Sequence, residues 1–140
     1  LATCPDAGVS TLCEPIVSDD DFNNPNIVKV VADNTGMALY FSRAPIPWPR
    51  EHDINRVNAM STTLSTMRHI GIYGYRVAML NAFIHWPMAP IETVECLEQL
   101  RFMWNGERIH VAQAMADVPG GVDTEEDLQR VISLLQREGC

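Results

Sequence analysis

The sequence is short of positive charge: ten Lys and Arg residues stand against 18 Asp and Glu among 140, a formal net charge of −8. A field of that sign repels phosphate polyanions and argues against general nucleic-acid binding, although a few placed arginines or a metal ion reverse it locally for a small anion. The four cysteines (Cys4, Cys13, Cys96 and Cys140) include no C-x-x-C pair, so neither a zinc site nor a disulfide framework is signalled, and free thiols in a reducing compartment are expected. No apolar run reaches the ~18 residues of a membrane span, because Arg76, Asn81 and His85 interrupt the longest candidate. Leu1-Ala-Thr-Cys4 has no charged or apolar segment ahead of it, so a secretory reading lacks support and a soluble, cytoplasmic protein is expected. A Gly-rich phosphate loop, a Ser-His-Asp order, an H-E-x-x-H pair and a Cys nucleophile pattern are also missing, which removes the common hydrolase and NTPase signatures.

What is present is ordinary globular composition, 46% hydrophobic and 20% charged, enough for one domain or a piece of a larger one. The opening at Leu1, within what reads as domain sequence, favours a piece. Val9 to Ile16 suits a strand and Ser18 to Asn26 a loop or single helical turn. Ile27 to Val31 and Met37 to Ser42 flank Asp33-Asn-Thr-Gly36, whose Asn and Gly tolerate positive φ, so they read as a hairpin. Three prolines between Pro45 and Pro49 end regular structure, and Arg50 to Met67 reads as a long polar loop. In Arg68 to Arg76, alternation sets His69, Gly71, Tyr73 and Tyr75 on one face, with Gly71 leaving a gap between two rings. Val77 to Trp86 reads as a short helix, Glu92 to Asn105 as a helix closed by Gly106, Arg108 to Gln113 as a strand, and Thr124 as the N-cap of a last helix striped by Leu128, Val131, Ile132 and Leu135. Strands alternating with helices predict a layered α/β fold with the hairpin as an antiparallel excursion.

Each residue with chemical potential has a plainer alternative. Arg43 ends a strand, where its fork suits a carboxylate or phosphate, or simply sits at the surface. His69 and Tyr73 suit hydroxyl recognition in a pocket, or form a packed aromatic ladder. On a continuous helix, Val94, Leu97, Leu100 and Trp104 make one stripe, and Glu98 either lies partly desolvated at a second apolar patch or pairs with Arg101 three residues on. Asp123, after a glycine pair, is a candidate Mg²⁺ ligand or a turn residue.

Taken in order, Val28-Lys-Val-Val31, Phe41-Ser-Arg-Ala-Pro-Ile-Pro47, Arg68-His-Ile-Gly-Ile-Tyr-Gly-Tyr-Arg76, Leu97-Glu-Gln-Leu-Arg101, Gly106-Glu-Arg-Ile-His-Val111 and Gly121-Val-Asp-Thr-Glu-Glu-Asp-Leu128 resemble the 3-deoxy-manno-octulosonate (KDO) cytidylyltransferases, or CMP-KDO synthetases. The resemblance covers nearly the whole chain. It implies a nucleotide-diphospho-sugar-transferase-like layered α/β fold that lacks its N-terminal nucleotide-binding portion here, so that residues 1–140 are the C-terminal sugar-binding and dimerisation part. It also implies transfer of CMP from CTP to KDO with release of pyrophosphate, for lipopolysaccharide synthesis, with CTP and KDO as substrates, Mg²⁺ as cofactor and a homodimer as the assembly. By position in the matching strings, Arg43 would pair with the sugar carboxylate, His69, Tyr73, Glu98 and Gln99 would line the KDO pocket, and Asp123 would bind Mg²⁺. No protein nucleophile is needed, since positioning and electrostatics carry such a transfer. The competing expectations are a non-catalytic assembly module built around Pro45 to Pro49 and Trp48, and a cytidylyltransferase for another acidic sugar.

Overall fold

The computed structural model describes residues 1, 4–49, 66–116, 118 and 125–138. Five strands form one mixed sheet: β1 (Val9–Pro15), β2 (Lys29–Ala32), β3 (Ala38–Ser42), β4 (Met67–Tyr75) and β5 (Ile109–Gln113), in the order β3-β2-β4-β1-β5. Only β1 and β5 run parallel; β1–β4, β2–β4 and β2–β3 are antiparallel. The layered α/β expectation stands, but antiparallel pairing is the rule of this sheet and not an excursion confined to the hairpin. The sheet curls until its edges meet, where Val111 N–H donates to Gly36 C=O at 2.8 Å.

Local chemistry accounts for the connections. Ser18 caps the short α1 (Asp19–Asn23) by accepting from Asp21 N–H, with three aspartates in the first turn against the helix dipole. The hairpin turn is held by Asp33, whose Oδ1 accepts from Thr35 N–H, Thr35 Oγ1 and Met37 N–H, while Gly36 takes φ +81°. Alternation along β1 buries Val9, Thr11 and Cys13, which join Val30, Phe41, Leu97, Leu100, Phe102, Ile109 and Val111 in or beside the core. Burying an aromatic such as Phe102 contributes about 2–3 kcal/mol, and it is ringed by Tyr75, Phe83 and Trp86.

Two expectations are corrected. The predicted helix from Glu92 to Asn105 is two: α3 (Pro90–Glu95) and α4 (Leu100–Trp104), after α2 (Val77–Phe83). Cys96 between them is left-handed, at φ 53° and ψ 49°. A continuous helix needs its carbonyls for the next turn, whereas Glu95 C=O and Cys96 C=O accept here from Arg43 Nε (2.8 Å) and Nη2 (3.4 Å), and Leu97 N–H closes back on Glu92 C=O. The assumed stripe therefore splits: Leu97 and Leu100 are buried, Val94 and Trp104 exposed. Second, β4 is not a regular partner of β1, because the ladder jumps from Leu12↔Ile70 to Thr11↔Tyr73 and leaves Gly71 and Ile72 out as a bulge, although His69, Tyr73 and Tyr75 keep the shared face expected of them, their rings in contact. The expected last helix is present as α5 (Glu125–Glu138), with Leu128, Ile132 and Leu135 of its stripe exposed and Val131 half-buried. The loop segment 50–65 and the turn with Asp123 and Thr124 lie outside the described residues.

Candidate functional site

The bulge, the end of β3, the approach to β2 and the α3–α4 turn surround a cleft of about 300 Å³. All five residues expected to meet substrate, Arg43, His69, Tyr73, Glu98 and Gln99, line this one cleft although they come from three separate stretches of chain. Gly71 opens onto it, and a Cβ there would meet nothing within 4 Å. The expected gap between rings is absent in one sense, however, since His69 and Tyr73 touch across the bulge with centroids 5.3 Å apart.

His69 is anchored from below. Its Nε2 lies 2.9 Å from Thr11 Oγ1, which also sits 3.0 Å from Ile70 C=O and 2.9 Å from Ile72 C=O, the carbonyls beside the bulge. A hydroxyl has one proton; with that proton directed at the carbonyls, Thr11 accepts from His69 Nε2–H, and the network assigns Nδ1 as the lone-pair nitrogen. Burial lowers the imidazole pKa from 6.5 to about 4, so the ring is neutral at pH 7. Tyr73 stacks on Tyr75 at 5.5 Å. Burial first, then the charge of Glu98, raises its hydroxyl pKa far enough to keep it a proton donor throughout the physiological range.

Two buried polar atoms in the cleft wall lack hydrogen-bond partners: Tyr73 Oη and Gln99 Nε2, the latter on a side chain only 2% exposed. Leaving such groups unpaired costs about 1–3 kcal/mol each, a cost that a polar ligand removes. Glu98 is exposed at the rim, neither desolvated on a helix face nor paired with Arg101 as the sequence allowed. Arg101 instead makes a two-bonded pair with buried Glu92, Nε to Oε2 at 2.8 Å and Nη2 to Oε1 at 2.5 Å, and its guanidinium lies 4.2 Å from the Phe83 ring centre. Glu92 also accepts from Ala89 N–H, fixing the start of α3.

Arg43 was expected to offer a free fork, but it is largely committed. Nε, Nη1 and Nη2 donate to the carbonyls of Glu95, Pro25 and Cys96, and its own N–H donates to Glu95 Oε2, leaving one N–H on each terminal nitrogen. Glu95 Oε1 accepts from Ser42 Oγ at 2.6 Å. Beneath them Lys29, fully buried, donates to the carbonyls of Asn24 (2.7 Å), Ile27 (2.8 Å) and Arg43 (2.8 Å). Burial, then the nearby Arg43 charge, lowers its pKa against the opposing pull of Glu95. Arg68, also in the wall, is paired with Glu14 and donates to Val118 C=O. Sequence reasoning missed Lys29, Glu95, Arg68 and Thr11; a lone lysine inside the apolar run Val28-Lys-Val-Val31 was the one available signal, since an unpaired charge rarely sits in a core strand.

Among the described residues no three His, Cys, Asp or Glu side chains converge where a metal ion would sit, and the expected ligand Asp123 lies outside them. Among them, too, no helix is long and apolar enough to cross a membrane, and Cys4, Cys13 and Cys96 are free thiols.

The family model described as Cytidylyltransferase matches residues 2–109, and the chain belongs to that family. It is 62% identical over 131 residues to the 3-deoxy-manno-octulosonate cytidylyltransferase of Cellvibrio japonicus, covering 93% of this chain and 51% of that protein. Its identity to the protein of the same name from Hahella chejuensis is 50% over 137 residues, 98% of this chain and 54% of that one. A solved structure of CMP:2-keto-3-deoxy-manno-octonic acid synthetase complexed with CTP is similar at a TM-score of 0.82 and 36% identity, over 98% of this chain and 52% of that chain. The chain spans about half the length of the curated relatives it matches.

Proposed function

We propose that this chain is the sugar-acid-binding part of an enzyme that transfers CMP from CTP to 3-deoxy-manno-octulosonate, releasing pyrophosphate and forming CMP-KDO for lipopolysaccharide synthesis, in the cytoplasm and as a homodimer. The observation that carries the reading is that Arg43, His69, Tyr73, Glu98 and Gln99, from three separate stretches of chain, line one cleft, with the unpartnered Tyr73 Oη and Gln99 Nε2 buried in its wall. These groups match a polyhydroxylated acid by sign. Gln99 and the neutral Tyr73 donate, neutral His69 Nδ1 and the Glu98 carboxylate accept from hydroxyls, and the free N–H groups of Arg43 face the carboxylate. Their work is to bind and orient the sugar so that its anomeric hydroxyl is presented to the nucleotide, with no covalent intermediate on the protein. The names of the relatives support CTP and KDO as the substrates. Magnesium, which neutralises phosphate charge when bound, is assigned to Asp123 within the same proposal.

Titration calorimetry of the chain with KDO tests this directly. KDO is expected to bind and to raise the melting temperature, Gln99→Leu to weaken binding about tenfold through the lost donor, and sialic acid to compete poorly. A melting temperature indifferent to KDO, or tighter binding of sialic acid, overturns the assignment.

A further inference from the structure

Lys29 and Arg43 place two cations under the cleft, and Glu95 is the carboxylate set between them: it accepts from Ser42 and from Arg43 N–H, and its charge acts on Lys29 against that of Arg43. Of the other charges on the cleft wall, Arg68 is paired with Glu14 and Glu98 stands exposed at the rim, away from this floor. Lys29 is 0% exposed and all three of its N–H donors are spent on carbonyls, so it reaches no ligand; through them it ties Asn24 and Ile27, flanking one wall, to the main chain of Arg43, whose guanidinium in turn ties Pro25 to Glu95 and Cys96 of the opposite wall. A buried ammonium without a carboxylate in contact is costly unless something uses its charge. In a chain of net charge −8, it is a local source of the field an anion requires.

We infer that Lys29 is a positioning residue that acts through Arg43, holding the cleft floor and leaving it one charge positive after Glu95, so that the cleft selects an ionised sugar acid over the same sugar without its charge. This rests on the sugar-acid reading of the cleft.

The test compares KDO with its uncharged methyl ester at pH 7.5 on the wild-type chain and on Lys29→Met and Glu95→Gln, with circular dichroism to establish that each variant folds. The wild type is expected to prefer the acid. Lys29→Met lowers the acid-to-ester affinity ratio about tenfold, the effect of one poorly screened charge at short range. Glu95→Gln keeps the shape and an acceptor for Arg43 N–H while removing the counter-charge, and raises the ratio several-fold. A purely structural role for Lys29 weakens both ligands together and leaves the ratio unmoved, which overturns the inference while the sugar-acid reading survives. If Lys29→Met does not fold, Glu95→Gln decides alone, and an unchanged or lowered ratio is fatal. Failure of the wild type to bind either ligand overturns the sugar-acid reading and this inference with it.

Discussion

Glu92 and Arg101 meet in a two-bonded pair with each charge in contact with its opposite, while Lys29, Arg43 and Glu95 set two cations against one carboxylate and spend most of their donors on backbone carbonyls. The first arrangement is closed: both partners satisfy each other, Ala89 N–H completes the carboxylate, and the Phe83 face covers the guanidinium. The second is open toward the cleft. Charge buried with its partner fastens α3 to α4, whereas charge buried against neutral carbonyls is left uncancelled and acts through its field alone, so position and partner, more than charge count, separate scaffold from site.

Breaking the closed pair has the largest expected effect. Arg101→Leu leaves the Glu92 carboxylate buried and unpaired and lowers unfolding free energy by about 3–4 kcal/mol, read from the urea midpoint; a companion Glu92→Leu change recovers most of it. A loss below about 1 kcal/mol would place the pair among solvent-screened ones and erase the contrast.

Acid titration separates the two regions by pH. The His69 pKa is depressed from 6.5 to about 4, so its contribution to stability is complete above pH 6.5 and is lost as the pH falls from there toward 4, on the order of 2–3 kcal/mol. Hydrogen bonding from Arg101 holds the Glu92 pKa below its ordinary 4.5, so the closed pair fails only at more acid pH. Unfolding curves between pH 7 and 4 are expected to fall steeply for the wild type and to flatten for His69→Gln; equal slopes would mean that the imidazole titrates normally.

The smallest effect has an unusual sign. Tyr73→Phe removes an unpartnered buried hydroxyl, so the ligand-free chain gains about 1 kcal/mol while KDO binding weakens. A destabilised variant would show that the hydroxyl is already satisfied and would remove Tyr73 from the groups left for a polar ligand.

The parts legible in the sequence are those set by short-range rules. Val9–Pro15, the turn at Asp33 to Gly36, Pro90 at a helix start and the stop at Gly106 follow from alternation, Asx chemistry, proline and positive φ, and each stands within a residue or two of where it was read. Placing Arg43, His69, Tyr73, Glu98 and Gln99 in one cleft came from the likeness of motif strings to a family, since no periodicity joins residues so far apart. The errors share one cause. The wheel drawn from Glu92 to Asn105 presumed that a helix keeps its own carbonyls, and Arg43, some fifty residues upstream, takes two of them. The even alternation drawn along β4 presumed a regular partner, and Thr11 on β1 stabilises a bulge there instead.

Local backbone preference and the order of apolar residues were therefore enough to specify most strands, caps and turns of this chain, because those depend on neighbours within four or five positions. Where the helix breaks and what anchors His69 depend on hydrogen bonds that close across fifty residues or more, and the seating of Lys29 depends on one to Arg43, fourteen residues away. Those bonds exist only once β1, β3, β4 and α3 are packed together, and no one-dimensional pattern records them.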